Sequence, residues 1–412
     1  MELSVIIVNY NVEHHLWQCL ESLYAALKPY RGDAEVIVVD NASSDGSHRI
    51  PQRVAAGMPD MPFRWIANRD NVGFGAANNQ GVKQARGRFL LFLNPDTIVT
   101  EQVLAYARSV MQRHEDCGAI GTKMLDAQGV FLPESKRGFP DPFTSFCRLS
   151  RLYRLFPRVR RMNRYYLSWL SPDEEHRVDV LAGAFMYVRR TEELDREGYF
   201  DERFFMYGED IDLSYRISCR SSCRYIPTPI LHYKGESTDG DSLRYVKVFY
   251  QAMELFQKKY YANRYVLNGI LSVGIRGVMF AASCRMKWKT FFRRSELTKS
   301  AGRADDSLFF LVCDAGRTAH IRTFLGLTAG DGWTSSGRFP GMGEVYALLQ
   351  KMSDHRVGTL HFVFDTERMG YGEVLRLMNS ELWRVAQRNA RQAGVRMSVA
   401  FYSPGMEKIV LD

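Results

Sequence analysis

From the N-terminus the chain alternates short apolar runs with helical periodicity. Residues 4–10 (SVIIVNY), 35–41 (EVIVVDN) and 88–94 (RFLLFLN) are near-continuous apolar runs of strand length, and 63–68 (FRWIAN) is a shorter one. Between and after them VEHHLWQCLESLYAAL, GAANNQGVKQA and EQVLAYARSVMQRH read as helices. Buried-type strands separated by helices predict an α/β fold with a mostly parallel sheet and right-handed crossovers. Ligands of such sheets sit at the carboxyl ends of the strands. Those ends carry Asn9 and Tyr10, Asp40, residues 68–71, and 94–96.

Beyond residue 133 the periodicity weakens. RLSRLYRLFPRVRRMNR (148–164) interleaves seven arginines with Leu, Tyr, Phe and Met. Two readings stand side by side: a solvated basic helix with a buried stripe, or contact with anionic lipid headgroups or a lipid diphosphate. No nucleic-acid motif accompanies the arginines, so nucleic acid is not expected as a partner. VDVLAGAFMYVRR then reads as a strand through Gly183 and Ala184, whose small side chains let a ligand approach the backbone. Three carboxylates, Glu209, Asp210 and Asp212, follow the aromatic run Phe204, Phe205 and Tyr207. Either they form a site that removes a proton in a partly dry pocket, or they are the acidic first turn of a helix. Two strand-like pieces in 223–237 place His232 after an apolar run.

Helices are expected at 243–260 and 265–283. Arg276 lies inside the second, and Asn268, Ser272 and Arg276 share one stripe, so it reads as interfacial or packed rather than spanning. A charged stretch to residue 306 reads as a linker. The tail restarts with strands at 307–316, 359–366 and 396–403 and one long helix at 373–394. The expected organisation is a catalytic domain at 1–240, a helical connector at 241–304 that lies on a membrane surface, and a small Rossmann-like α/β domain at 305–412.

Composition is that of a globular chain: 412 residues, 46% hydrophobic and 25% charged. The net charge of +9 favours anionic partners. Seven cysteines without framework spacing point to a reducing compartment, and the N-terminus has no basic region ahead of its apolar run, so no secretory signal is expected. The expected location is cytoplasmic.

The candidate chemistry gathers at the strand ends. Asp40 can accept hydrogen bonds from a base or ribose, or serve as a cap. Gly73 and Gly75 precede a helix N-terminus, but Asn78 stands at the third position of GxGxxG, so this is not a dinucleotide fingerprint. Asp96 of NPD can supply one oxygen to a hard cation bridging a diphosphate, and His232 is a candidate second ligand.

Taken together, SVIIVNYN, VDNASSDGS, NVGFGAANNQG, LNPDT, LAGAFMYVRR, FFMYGEDIDLSYR and HYKGES resemble glycosyltransferase family 2 with the GT-A fold, in the family's order from residue 3 to about 237. Within it the chain is most similar to the rhamnosyltransferase-like branch of surface-polysaccharide synthesis, which reads NPD where many relatives read D-x-D. The resemblance implies an inverting transfer from a nucleotide-diphosphate sugar to a hydroxyl of a lipid-linked saccharide or polysaccharide, with Mg²⁺ or Mn²⁺, at the inner face of the plasma membrane. It assigns the nucleotide sugar to Asn9, Tyr10, Asp40, Asn71, Asn78 and Asn94, and the metal to Asp96 and His232. The acceptor side falls to Gly183, Ala184 and Tyr207. Asp210 matches the general base, beside Glu209. Asn94 stands where the first acid of D-x-D would be, so Asp96 alone supplies that loop's metal contact. The tail resembles a Rossmann-like extension, and its first strand ends CDAGRTAH without a glycine fingerprint, so no dinucleotide is expected there. The rival readings are transfer to a polyprenyl phosphate, which needs no strong base, and an inactive scaffold whose tail carries the role.

Overall fold

The computed structural model describes residues 1–30, 32–149, 152–156, 158–233, 243–261, 307–325, 327, 333–355, 359–392, 395–403 and 406. The expected helix at 265–283 lies outside them, as does the charged linker. Nine strands form one sheet: β1 (Leu3–Asn9), β2 (Ala34–Asp40), β3 (Phe63–Ala67), β4 (Phe89–Leu93), β5 (Thr97–Ile98), β6 (Cys117–Leu125), β7 (His176–Val178), β8 (Phe185–Arg189) and β9 (Ser222–His232). Their order is β3-β2-β1-β4-β8-β6-β9-β5, with β7 on β9. Every residue of β1, β2 and β4 is buried, which is why these strands read as unbroken apolar runs.

The parallel character holds for β3, β2, β1 and β4. Beyond β4 the sheet is mixed: β8 is antiparallel to β4 and β6, β5 and β7 are antiparallel to β9, and β6 and β9 are parallel. The pairing Leu93↔Phe185 brings the residues that precede β8 beside the carboxyl end of β4. There Asn94 N donates to Ala184 O at 3.0 Å. The two pieces expected in 223–237 are one strand, β9, with an irregular register. Thr122 pairs with Ile226 and Lys123 with Pro229, so Pro227 and Thr228 bulge out where proline offers no N–H.

A second sheet holds β10 (Ser307–Val312), β11 (Trp333–Ser336), β12 (Thr359–Asp365) and β13 (Arg396–Tyr402), all parallel in the order β11-β10-β12-β13. The long helix expected at 373–394 is two, Tyr371–Met378 and Glu381–Gln392. Ser380 divides them, accepting the Trp383 N–H at 3.3 Å as the cap of the second.

The two sheets share one apolar cluster, in which Ile98, Leu125, Leu231 and Tyr233 pack with Phe362, Tyr371 and Trp383. Trp383 is fully buried and its Nε1 donates to Gln128 O at 2.9 Å. Lys123 Nζ donates to Asn379 Oδ1 at 2.6 Å, and Ser403 Oγ donates to the Glu21 carboxylate at 2.6 Å. Among the described residues no helix is long and apolar enough to cross a membrane.

Candidate active site

The carboxyl ends of β1, β2, β4 and β9 and the start of β8 share one edge of the first sheet. Asn9 and Asp40 are the last register pair of β1 and β2. Asn9 Nδ2 donates to Asp40 Oδ1 at 2.7 Å and to Ser43 Oγ at 3.1 Å, and Ser43 N donates to Asp40 Oδ2 at 3.2 Å. Asn9 Oδ1 is buried without a hydrogen-bond partner, an acceptor left open at the strand end. Tyr10 follows, half-buried.

Asn41, which sequence reasoning did not single out, organises the neighbouring loop. Its Nδ2 donates to Asn71 Oδ1 at 2.8 Å, and its Oδ1 accepts from Asn68 Nδ2 and Val72 N, each at 3.1 Å. Asn71 Oδ1 also accepts from Gly73 N at 3.0 Å, so Asn71 shapes the loop. Gly73 has φ +90°, and a Cβ there would meet Phe205 O at 2.7 Å. The next residue donates its N–H to that same carbonyl at 2.8 Å, clamping this loop to the 204–208 segment. Asn78 is buried in the helix Phe74–Gln84, and its Nδ2 donates back to Phe74 O at 3.0 Å, so that nitrogen is occupied within the helix.

Asn94, Asp96 and His232 meet where β5 pairs with β9, Thr97 standing opposite His232. Asp96 is buried, its Oδ1 3.4 Å from His232 Nε2, and Asn94 Nδ2 is 3.5 Å from the same nitrogen. Tyr233 N donates to Asp96 O at 3.0 Å and fixes the turn. Asp96 Oδ1 accepts no hydrogen bond. Burial acts to raise the Asp96 pKa, but the adjacent His232, with His15 behind, holds it below the usual carboxylate range. Among the described residues no cluster of three His, Cys, Asp or Glu side chains is placed to hold a metal.

The acidic triplet divides into three environments at the start of the helix Glu209–Ser218. Asp210 Oδ2 lies 2.5 Å from Arg137 Nη2 and 3.4 Å from Gly183 N, while its Oδ1 accepts from Ile211 N at 2.8 Å. Arg137 is buried, also donates to Leu181 O at 2.7 Å, and escaped sequence reasoning because nothing near it in the chain marks it. Burial acts to lower the Arg137 pKa, but the Asp210 charge outweighs it and raises the value. Glu209 is buried, its Oε2 has no hydrogen-bond partner, and burial followed by the charge of Asp210 pushes its pKa up to about 8. Asp212 is structural: it accepts from Lys259 Nζ at 2.5 Å, Tyr260 OH at 2.6 Å and Arg216 Nε at 3.0 Å, tying the helix Leu243–Tyr261 to the first sheet.

Gly183 lies against Asp210: a Cβ there would sit 3.4 Å from the Asp210 Cβ and 3.9 Å from the Phe74 ring. Ala184 is buried beside Asn94. Tyr207 has φ +68° and packs on Phe204, Ala252 and Phe256, whereas Phe205 is 39% exposed. Asn9–Asp40 on β1 and β2, Asn94 after β4, Gly183–Asp210 before β8 and Asp96–His232 at β5 and β9 thus stand along the same edge.

The polar groups along the strand ends stand where α/β sheets bind ligands. Residues 4–168 match the model of Glycosyl transferase family 2, and this region supports a glycosyltransferase. It is 28% identical over 267 residues to the N-acetylglucosaminyl-diphospho-decaprenol L-rhamnosyltransferase of Mycobacterium tuberculosis, covering 62% of this chain and 83% of the relative. It is 27% identical over 222 residues to the low-salt glycan biosynthesis hexosyltransferase Agl10 of Haloferax volcanii, covering 52% of this chain and 61% of that one. Among solved structures, TarS 1–349 of S. aureus in complex with UDP-GlcNAc aligns over 95% of this chain and 92% of its own, with 18% identity and a TM-score of 0.43.

Proposed function

We propose that this chain is an inverting glycosyltransferase that moves a sugar from a nucleotide-diphosphate sugar to a hydroxyl of a lipid-linked saccharide or polysaccharide in surface-polysaccharide synthesis. The working place in this reading is the inner face of the plasma membrane. The observation that carries it is the run of Asp40, Asp96 with His232, and Asp210 along one strand-end edge, where α/β sheets bind ligands. The name of the mycobacterial relative supports a lipid-diphosphate-linked acceptor and makes rhamnose the first donor sugar to test. Residues 1–240 are assigned to transfer, and 305–412 to a unit docked on them.

Asn9 and Asp40 hold the nucleoside in this reading, with Tyr10, Asn71, Asn78 and Asn94 on the donor side. Asp96 and His232 fit a divalent cation, Mg²⁺ or Mn²⁺: a carboxylate oxygen without a hydrogen bond faces an imidazole nitrogen. Two protein ligands suffice where the diphosphate and water provide the rest. Such a cation, when bound, neutralises charge on the leaving diphosphate.

Asp210 accepts the proton of the acceptor hydroxyl as its oxygen attacks the anomeric carbon. The bond to the diphosphate breaks on the opposite face, the nucleoside diphosphate leaves, and the anomeric centre inverts. Arg137 and the Gly183 N–H fix the orientation of the carboxylate. Exposed Phe205 and neighbouring Tyr207 narrow the acceptor side and keep water from the donor.

A thermal-shift screen of nucleotide sugars with Mn²⁺ identifies the donor, and NMR of the product reads its anomeric configuration. Stabilisation by one donor class and inversion are expected. Retention, or no stabilisation by any nucleotide sugar, overturns the reading.

A further inference from the structure

We propose that residues 143–149, 152–156 and 158–169 form a docking surface for an anionic lipid bilayer, and that it delivers a lipid-linked acceptor to Asp210. Eight large hydrophobic side chains are exposed among the described residues, and five belong to this one segment: Phe143, Leu155, Phe156, Val159 and Trp169. Leu155 is 72% exposed, more than any of the others. Apolar groups so concentrated, and rimmed by charge, mark an interaction site rather than ordinary surface scatter.

The rim is of one sign. Arg154, Arg158, Arg160 and Arg161 are exposed, and no described carboxylate pairs with them. Arg161 lies over the Phe143 ring at 4.8 Å and Arg160 over the Trp169 ring at 5.9 Å, so cations and apolar rings present themselves together. A second copy of the chain across a twofold axis would set this unneutralised positive surface against itself. A bilayer with anionic headgroups accepts both parts, the arginines at the phosphate level and the apolar side chains just below.

The same segment reaches the transfer site. Arg148 lies over the Tyr165 ring at 4.3 Å, Gly138 N donates to Tyr165 O at 3.0 Å, and Lys136 Nζ donates to Leu167 O at 2.9 Å. Between Lys136 and Gly138 stands Arg137, the partner of Asp210. The segment that meets the bilayer is therefore hydrogen-bonded to both residues that flank the Asp210 partner. The delivery half of this inference rests on the transferase reading, whereas bilayer binding does not.

The full chain is sedimented with vesicles of phosphatidylcholine alone and of phosphatidylcholine with phosphatidylglycerol, at low and high salt. Two variants run beside it: Arg154→Gln/Arg158→Gln/Arg160→Gln/Arg161→Gln, and Leu155→Ser/Phe156→Ser. The wild type binds the anionic vesicles and is released by salt. The arginine variant binds on the order of a thousandfold more weakly, and the apolar variant on the order of a hundredfold more weakly. Both keep wild-type affinity for a nucleoside diphosphate by calorimetry, which shows an intact fold. Equal binding to both vesicle types, or wild-type binding by both variants, overturns the proposal. So does a solution dimer that the Leu155→Ser/Phe156→Ser change dissociates, because the surface then takes a second copy. Vesicle binding by a wild type that binds no nucleoside diphosphate upholds the docking surface and sinks the transferase reading. Wild-type turnover of a vesicle-embedded acceptor by variants that no longer bind vesicles removes the delivery half.

Discussion

The Arg137 guanidinium lies 2.5 Å from the Asp210 carboxylate across 73 residues of sequence, and both groups are largely shielded from water. Removing one member of a buried pair leaves the other charge uncompensated. Arg137→Met is therefore expected to lose about 3 kcal/mol or more of stability. Asp210→Asn keeps an acceptor for the guanidinium and is expected to cost less. Urea unfolding of the two variants checks the order, and a reversed order contradicts the arrangement.

Glu209 gives a pH signature. Its folded pKa, up to about 8, lies above the ordinary 4.5, because burial and the Asp210 charge disfavour the carboxylate. Between these values the unfolded chain releases a proton that the native state keeps, so this group makes stability fall as pH rises through the window. Glu209→Gln removes the effect. The variant should gain stability over the wild type as pH rises toward about 8 and gain nothing below about pH 4. Denaturant midpoints across pH measure the difference, and parallel profiles contradict it.

The loop around Asp96 predicts a change in metal response. His232→Ala removes the nitrogen 3.4 Å from Asp96 Oδ1 and should weaken Mn²⁺-dependent diphosphate binding by roughly tenfold or more. Asn94→Asp adds an acid on the same loop and should strengthen it. Calorimetry at fixed Mn²⁺ reads both. Unchanged affinity in His232→Ala would remove His232 from the donor site.

Much of this was legible in the sequence. Strands buried on both faces announce themselves as apolar runs, so β1, β2 and β4 and the polar residues at their ends could be read directly. Pairings between distant segments could not. Nothing local ties Arg137 to Asp210, or Asp212 to Lys259 and Tyr260, and all three acids of 209–212 look alike before their partners are known. The mixed half of the sheet was hidden because a strand's sequence does not encode its direction. The break at Ser380 was hidden because helical periodicity continues across it.

The contact between the sheets is held by Trp383, fully buried with its indole N–H on Gln128 O. Gly129, at φ +75°, allows it, since a Cβ there would stand 2.4 Å from Trp383 Nε1. Trp383→Ala should cost about 3–5 kcal/mol and split thermal unfolding into two transitions, one for each sheet. A single unshifted transition in calorimetry would show that the interface contributes little.

The most direct test compares wild type, Asp40→Ala, Asp96→Ala and Asp210→Asn in two assays: calorimetric binding of a nucleoside diphosphate with Mn²⁺, and sugar transfer. Binding should fail in the first two variants and survive in Asp210→Asn, while transfer falls on the order of a hundredfold or more in all three. Equal nucleotide affinity throughout, or wild-type turnover by Asp210→Asn, would contradict a single cleft in which the first two carboxylates hold the donor and the third takes the proton.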